Sequence, residues 1–128
     1  MMKPAVLAAF ALSGAALALG GCAKHTRPPG EVGICYQVQP QKDGSLKYNR
    51  MPSQQPDLEH CAAALEAMRI RFLNMGGSQR ELVGAYQGNF IFLQHDGIFT
   101  APSLEDHRYL FLVRTGDGHL TMPGAVAQ

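Results

Sequence analysis

The sequence predicts an α+β domain: an antiparallel sheet of about five to seven short strands, arranged as a meander or half-barrel, with one amphipathic helix on one face and one disulfide. Three observations carry this. Apolar residues recur at helical spacing in one clear stretch, between Pro56 and Asn74. Elsewhere the apolar runs are short and punctuated by Asp43-Gly44, Asp96-Gly97 and Asp117-Gly118, pairs that favour tight hairpin turns. Beyond the N-terminal region stand two cysteines, Cys35 and Cys61.

The chain opens MMKP, with a positive charge at Lys3, then runs AVLAAFALSGAALAL from Ala5 to Leu19 without a charged side chain. A charged start followed by an apolar run of about 7–15 residues is the pattern of a secretory signal. The run is too short and too rich in Ala and Gly for a spanning helix, which needs about 20 apolar residues. It ends Leu19-Gly20-Gly21-Cys22.

This ending resembles the lipobox of bacterial lipoproteins, with Gly20 where Ala or Ser is commoner. The resemblance covers residues 1–22 only. It implies a signal peptide over 1–21, lipidation at Cys22, and a mature protein anchored in the cell envelope through that lipid. Ala23 is not the Asp that resembles an inner-membrane retention signal, so the resemblance implies the outer membrane, facing the periplasm. Multiple acyl chains make such an anchor stable, whereas one chain binds reversibly.

Loss of the signal leaves about a hundred residues, enough for one domain, expected over 31–128. The whole chain has 11 basic and 10 acidic side chains, and losing Lys3 balances them. A neutral chain without a basic cluster excludes an electrostatic footprint for nucleic acid.

Residues 22–30, the lipidated Cys and AKHTRPPG, read as a tether broken by proline and glycine. Its eight residues after the Cys span about 25–30 Å when extended. Val32–Gln39 and LKYNRM around Asp43-Gly44 form a hairpin, and Pro40 places it at a sheet edge, because proline cannot donate to a ladder. On a regular strand Val32, Ile34, Tyr36 and Val38 share one face and Cys35 the other. Either both faces are buried, or Gly33 marks a bulge.

The helix is expected from Pro56, a residue suited to the first helical position, with Asp57 and Glu59 near the positive end of its dipole. Leu58, Cys61, Leu65, Met68 and Phe72 draw one apolar stripe, and Gly76-Gly77 stop it. Strands follow at 81–87, 89–94, 97–101, 108–114 and 119–122. FIFL and YLFLV are continuous apolar runs, as in strands covered on both faces. A single helix covers one face; the other must meet the N-terminal hairpin, curl over itself or receive a partner.

With Cys22 assigned to lipid, Cys35 and Cys61 are expected to bridge in an oxidising compartment. A metal site on both thiols and His60 needs further ligands, and His60 and Cys61 point to different helix faces; no metal or cofactor is expected. Catalytic signatures are missing as well. No G-x-S-x-G elbow, H-E-x-x-H pair or phosphate loop occurs, and Ser45, Ser53, Ser78 and Ser103 lack a motif. His95, His107 and His119 converge only if their strands pair in register.

The expected role is therefore a binding, accessory or scaffold module with an envelope-protein partner and no chemistry of its own. Its candidate surface is Tyr86, Asn89 and Phe90, where small residues and aromatics lie together. The alternative is a small apolar ligand in a pocket of the curled sheet, lined by Tyr36, Tyr86, Phe90, Phe92 and Tyr109.

Overall fold

The structure is a computed structural model and describes residues 25–124. Cys22 and the signal over 1–21 lie outside the described residues. One antiparallel sheet holds seven strands in the order β2-β1-β3-β4-β5-β6-β7. They are β1 (Cys35–Pro40), β2 (Leu46–Arg50), β3 (Leu82–Tyr86), β4 (Asn89–Gln94), β5 (Gly97–Ala101), β6 (Tyr109–Arg114) and β7 (Leu120–Thr121), with helix α1 (Leu58–Asn74) between β2 and β3. β3 to β7 form a meander. β1 pairs antiparallel with both β2 and β3, so β2 and β3 run the same way. A tight turn cannot join such strands, and α1 supplies the crossover.

The helix begins at Leu58, later than Pro56, because Asp57 is its N-cap: the carboxylate accepts the His60 backbone N–H at 2.8 Å. Its last turn leaves Phe72 44 % exposed, so the apolar stripe is buried only in its earlier part. β1 begins at Cys35, later than expected, because Gly33 turns at φ 78° and Val32 is exposed. As expected, the β1–β2 hairpin lies at an edge; Pro40 pairs only with Leu46, past the end of the β1–β3 ladder.

Alternation along the strands divides the apolar residues between two clusters. The first joins Cys35, Leu82, Tyr86, Ile91, Leu93, Ile98 and Leu112 to Cys61, Ala62 and Leu65 of α1. The second holds Tyr36, Val38, Ala85, Phe90, Phe92 and Ala101, with Leu46, Tyr48 and Leu104 against it. Both faces of the central strands are thus buried, which is how Cys35 reaches α1 while Tyr36 and Val38 point the other way. The Cys35–Cys61 disulfide (S–S 1.99 Å, Cα–Cα 5.5 Å) is completely buried.

The segment expected to be a tether departs from that reading. Among the described residues it lies on the domain: Thr26 donates through its N–H (2.6 Å) and hydroxyl (2.9 Å) to the Glu105 carboxylate. Leu104 N–H donates back to Thr26 O at 3.1 Å, and Gly88 N–H donates to Pro29 O at 3.0 Å. Pro28, between these clamps, is buried. The two prolines forbid a strand but not docking, since the segment's carbonyls still accept. Contacts with the domain therefore extend at least as far back as Thr26, ahead of the expected boundary at residue 31.

At Gly84 a Cβ would stand 2.2 Å from Leu65 Cδ1 and 3.0 Å from Tyr36 O, so only glycine lets α1 approach β3 this closely. Gly84→Ala should destabilise the domain by about 1–3 kcal/mol, read as a lower urea midpoint with unchanged slope. Combined with Leu65→Ala, the total loss should be smaller than the sum of the two single losses. Paired Cys35→Ser and Cys61→Ser changes should cost about 2–4 kcal/mol, as expected for opening a loop of this length.

Candidate functional site

The expected interaction surface is not presented to solvent. Phe90 is 0 % and Tyr86 2 % exposed, on opposite faces of the sheet. The Tyr86 hydroxyl donates to Gln55 O at 2.6 Å, and Asn89 is half-buried. The small residues between serve packing and the turn: Gln87 and Gly88 adopt φ 45° and 85°, the left-handed pair a two-residue hairpin needs. Gln87 also accepts the Gly33 N–H through Oε1 at 2.7 Å, which holds it in that conformation.

The aromatic pocket is corrected for the same reason. Tyr36, Phe90 and Phe92 fill the second cluster and Tyr86 the first, so they do not line a common cavity. Tyr109 alone of that set is exposed. The histidines do not come together. His95 and His119 sit in turns at the end of the sheet where Gln94 pairs with Gly97 and Arg114 with Leu120, whereas His107 precedes β6 at the opposite end and stacks edge-on against Tyr109. No cluster of metal-ligating side chains occurs among the described residues, and the disulfide consumes both thiols of the alternative metal site.

Ser103, Asp106 and His25 are neighbours, but in an order unsuited to nucleophilic catalysis. The Ser103 hydroxyl donates to Asp106 at 2.7 Å, and His25 Nδ1 lies 4.0 Å from the other carboxylate oxygen. The acid stands between serine and imidazole, so the imidazole has no access to the hydroxyl proton. Ser103 is moreover fully buried. The group fixes the 103–106 turn.

The most unusual buried feature escapes sequence periodicity: Glu66, 2 % exposed, lies on the inner side of α1. Arg69 donates to it from Nε at 2.9 Å and Nη2 at 3.1 Å, and Arg114 of β6 donates from Nε at 2.7 Å and Nη2 at 3.1 Å. Arg114 also reaches Gln94 O at 2.5 Å, and Arg69 reaches Arg80 O at 3.1 Å. Desolvation pushes the Glu66 carboxyl up, but the hydrogen bonds and charge of Arg69 and Arg114 outweigh it and hold the pKa below the ordinary range. Arg69 at i+3 was a visible signal; the long-range Arg114 partner was not.

Beside this network an open cleft of about 390 Å³ runs between α1 and the β6–β7 hairpin, lined by Glu59, His60, Ala63, Glu66, Leu112, Leu120 and Met122 among others. Next to it the edge of β6 is half open. β7 pairs only with Val113 and Arg114, so Tyr109 to Leu112 have no strand beyond them among the described residues. Tyr109 is 62 % and Leu110 46 % exposed.

A scan against protein-family models, a search of curated proteins and a search of solved structures each find no match. No helix among the described residues is long and apolar enough to cross a membrane.

Because the folded pKa of Glu66 is depressed, its ion pairs add stability above the unfolded carboxyl pKa and lose it as pH falls through the folded value. Glu66→Gln should cost about 2–4 kcal/mol at pH 7, less than a fully enclosed pair because both arginines are partly exposed. The gap between wild type and variant in chemical melts should narrow steadily below about pH 4.5.

Proposed function

We propose that this is a small lipid-anchored cell-envelope protein, acylated at Cys22 and acting as a binding or accessory module without chemistry of its own. In this reading the sheet curls as a half-barrel, α1 covers one face, and a partner protein of the envelope adds an extended segment to the free edge of β6. The observation that carries it is that edge: among the described residues no strand pairs with Tyr109 to Leu112 on that side, so main-chain groups and exposed Tyr109 and Leu110 offer hydrogen bonds and apolar contact together. The lipobox-like ending at Cys22 and the buried disulfide support an oxidising envelope compartment. Ala23 favours the outer membrane with the domain facing the periplasm.

The cleft between α1 and β6–β7 favours a second reading, a site for a small ligand, since its volume falls in the range of about 300–1,000 Å³ usual for such sites. Its lining mixes apolar Ala63, Leu112, Leu120 and Met122 with Glu59 and His60, so a purely apolar ligand fits less well than an amphipathic one.

A photo-crosslinking side chain at Tyr109 should capture one dominant envelope protein in cells. Leu110→Asp should reduce that product at least about tenfold, the loss expected when a buried apolar contact of about 1.4 kcal/mol or more is removed. The melting temperature of Leu110→Asp should stay unchanged. Absence of any reproducible product would count against the module reading, and a small molecule released on denaturation in native mass spectrometry would favour the ligand. The intact mass of membrane-extracted protein should begin at Cys22 and carry acyl chains, and Cys22→Ala should move the protein to the soluble fraction.

A further inference from the structure

The N-terminal end of the described chain is held at a fixed point. Thr26 is held by two hydrogen bonds to Glu105 and one from Leu104, and Pro28 behind it is buried. Only Ala23, Lys24 and His25 separate it from Cys22, so the two Cα atoms are at most about 14 Å apart. The headgroup layer of a leaflet takes about 5–8 Å of that distance. An anchor this short gives the domain little freedom to reorient.

We infer that the domain meets the bilayer with one defined face, the surface around Thr26 that includes the β1–β2 hairpin tip and the 104–108 segment, while the outer row of α1 points away. The inference rests on acylation of Cys22, as proposed above. The shallow depression at Thr26 is lined by Gly44, Ser45, Leu46, Tyr48, Leu104 and Glu105, which brings hairpin tip and chain exit side by side. Leu46, Tyr48 and Leu104 belong with the second cluster, and Ala62 and Leu65 of α1 with the first, so exit point and helix lie on opposite sides of the sheet.

The face carries charges of both signs. Its acids are held in place by neutral donors: Glu105 by Thr26, Asp106 by Ser103, and Asp43 by the N–H and hydroxyl of Ser45. Its cations face solvent. Arg27 and Lys42 are exposed and have no ion-pair partner among the described residues, and exposed Arg108 lies over the Phe92 ring at 3.7 Å.

The chain has no tryptophan, so one introduced residue reports position without background. Full-length acylated Ser45→Trp and Ala67→Trp proteins, the latter on the exposed side of α1, are placed in phosphatidylethanolamine–phosphatidylglycerol vesicles carrying a headgroup spin label. Lys42→Trp and Ala63→Trp replace either variant that melts early. Fluorescence of the hairpin-tip probe should be quenched at least twofold more than that of the helix probe. Equal quenching, or stronger quenching on the helix, in protein that floats with the vesicles overturns the orientation and leaves the anchor standing. Protein that fails to float, with an intact mass lacking acyl chains, overturns both.

Discussion

Strands β3 and β4 are apolar on both sides, and a sheet of that kind has to be covered twice. In so short a chain each cover comes from little material: one helix supplies Cys61, Ala62 and Leu65 to the first cluster, and loop residues such as Leu104 lie against the second. The disulfide and the Gly84 notch set the distance on the first side. Sulfur–sulfur bonding holds Cys61 to β1, and the missing Cβ lets Leu65 lie directly on β3. On the second side no covalent link exists among the described residues. There Glu105 takes both donors of Thr26, so a surface carboxylate does for the N-terminal segment what cystine does for the helix.

The Glu66 network extends this logic to the far strands. The meander grows away from α1, and the sequence-distant β6 is joined to the helix through Arg114. An isolated buried carboxylate would be costly. Two arginines that also bond to the carbonyls of Gln94 and Arg80 make it a junction between helix, β4 end and β6. The weakest part of the fold is therefore where this junction ends: β7 holds on to β6 by two residue pairs, and below them the edge lies open.

Much of this was legible in the sequence because its signals are local. Asp-Gly pairs mark turns, the helical spacing after Asp57 marks α1, and the alternation of β1 raised the question that burial of both faces answers. What was not legible depends on contacts distant in sequence. Glu66 looks like any surface glutamate until Arg114 arrives from β6. Tyr86 and Phe90 have the composition of an interface, but the β3–β4 pairing buries both, one on each face. The prolines at 28 and 29 suggested a free tether, because local propensity reports the absence of a strand and says nothing of hydrogen bonds accepted by the carbonyls on either side.

The docked N-terminal segment also bears on how a weak binding edge would function. Strand addition to four residues of β6 supplies few hydrogen bonds, each worth about 0.5–1.5 kcal/mol net, so a freely diffusing partner would gain little from it. Held on one membrane with that partner, the edge is presented at raised effective concentration, and association becomes closer to intramolecular. That advantage depends on stiffness: a long flexible spacer would dilute it, whereas a chain clamped at Thr26 and acylated at Cys22, as proposed, would keep the edge at nearly constant height. On the proposed reading, the clamp by Glu105 and the open edge of β6 would act together, the anchoring geometry strengthening contacts that the edge alone would make only weakly.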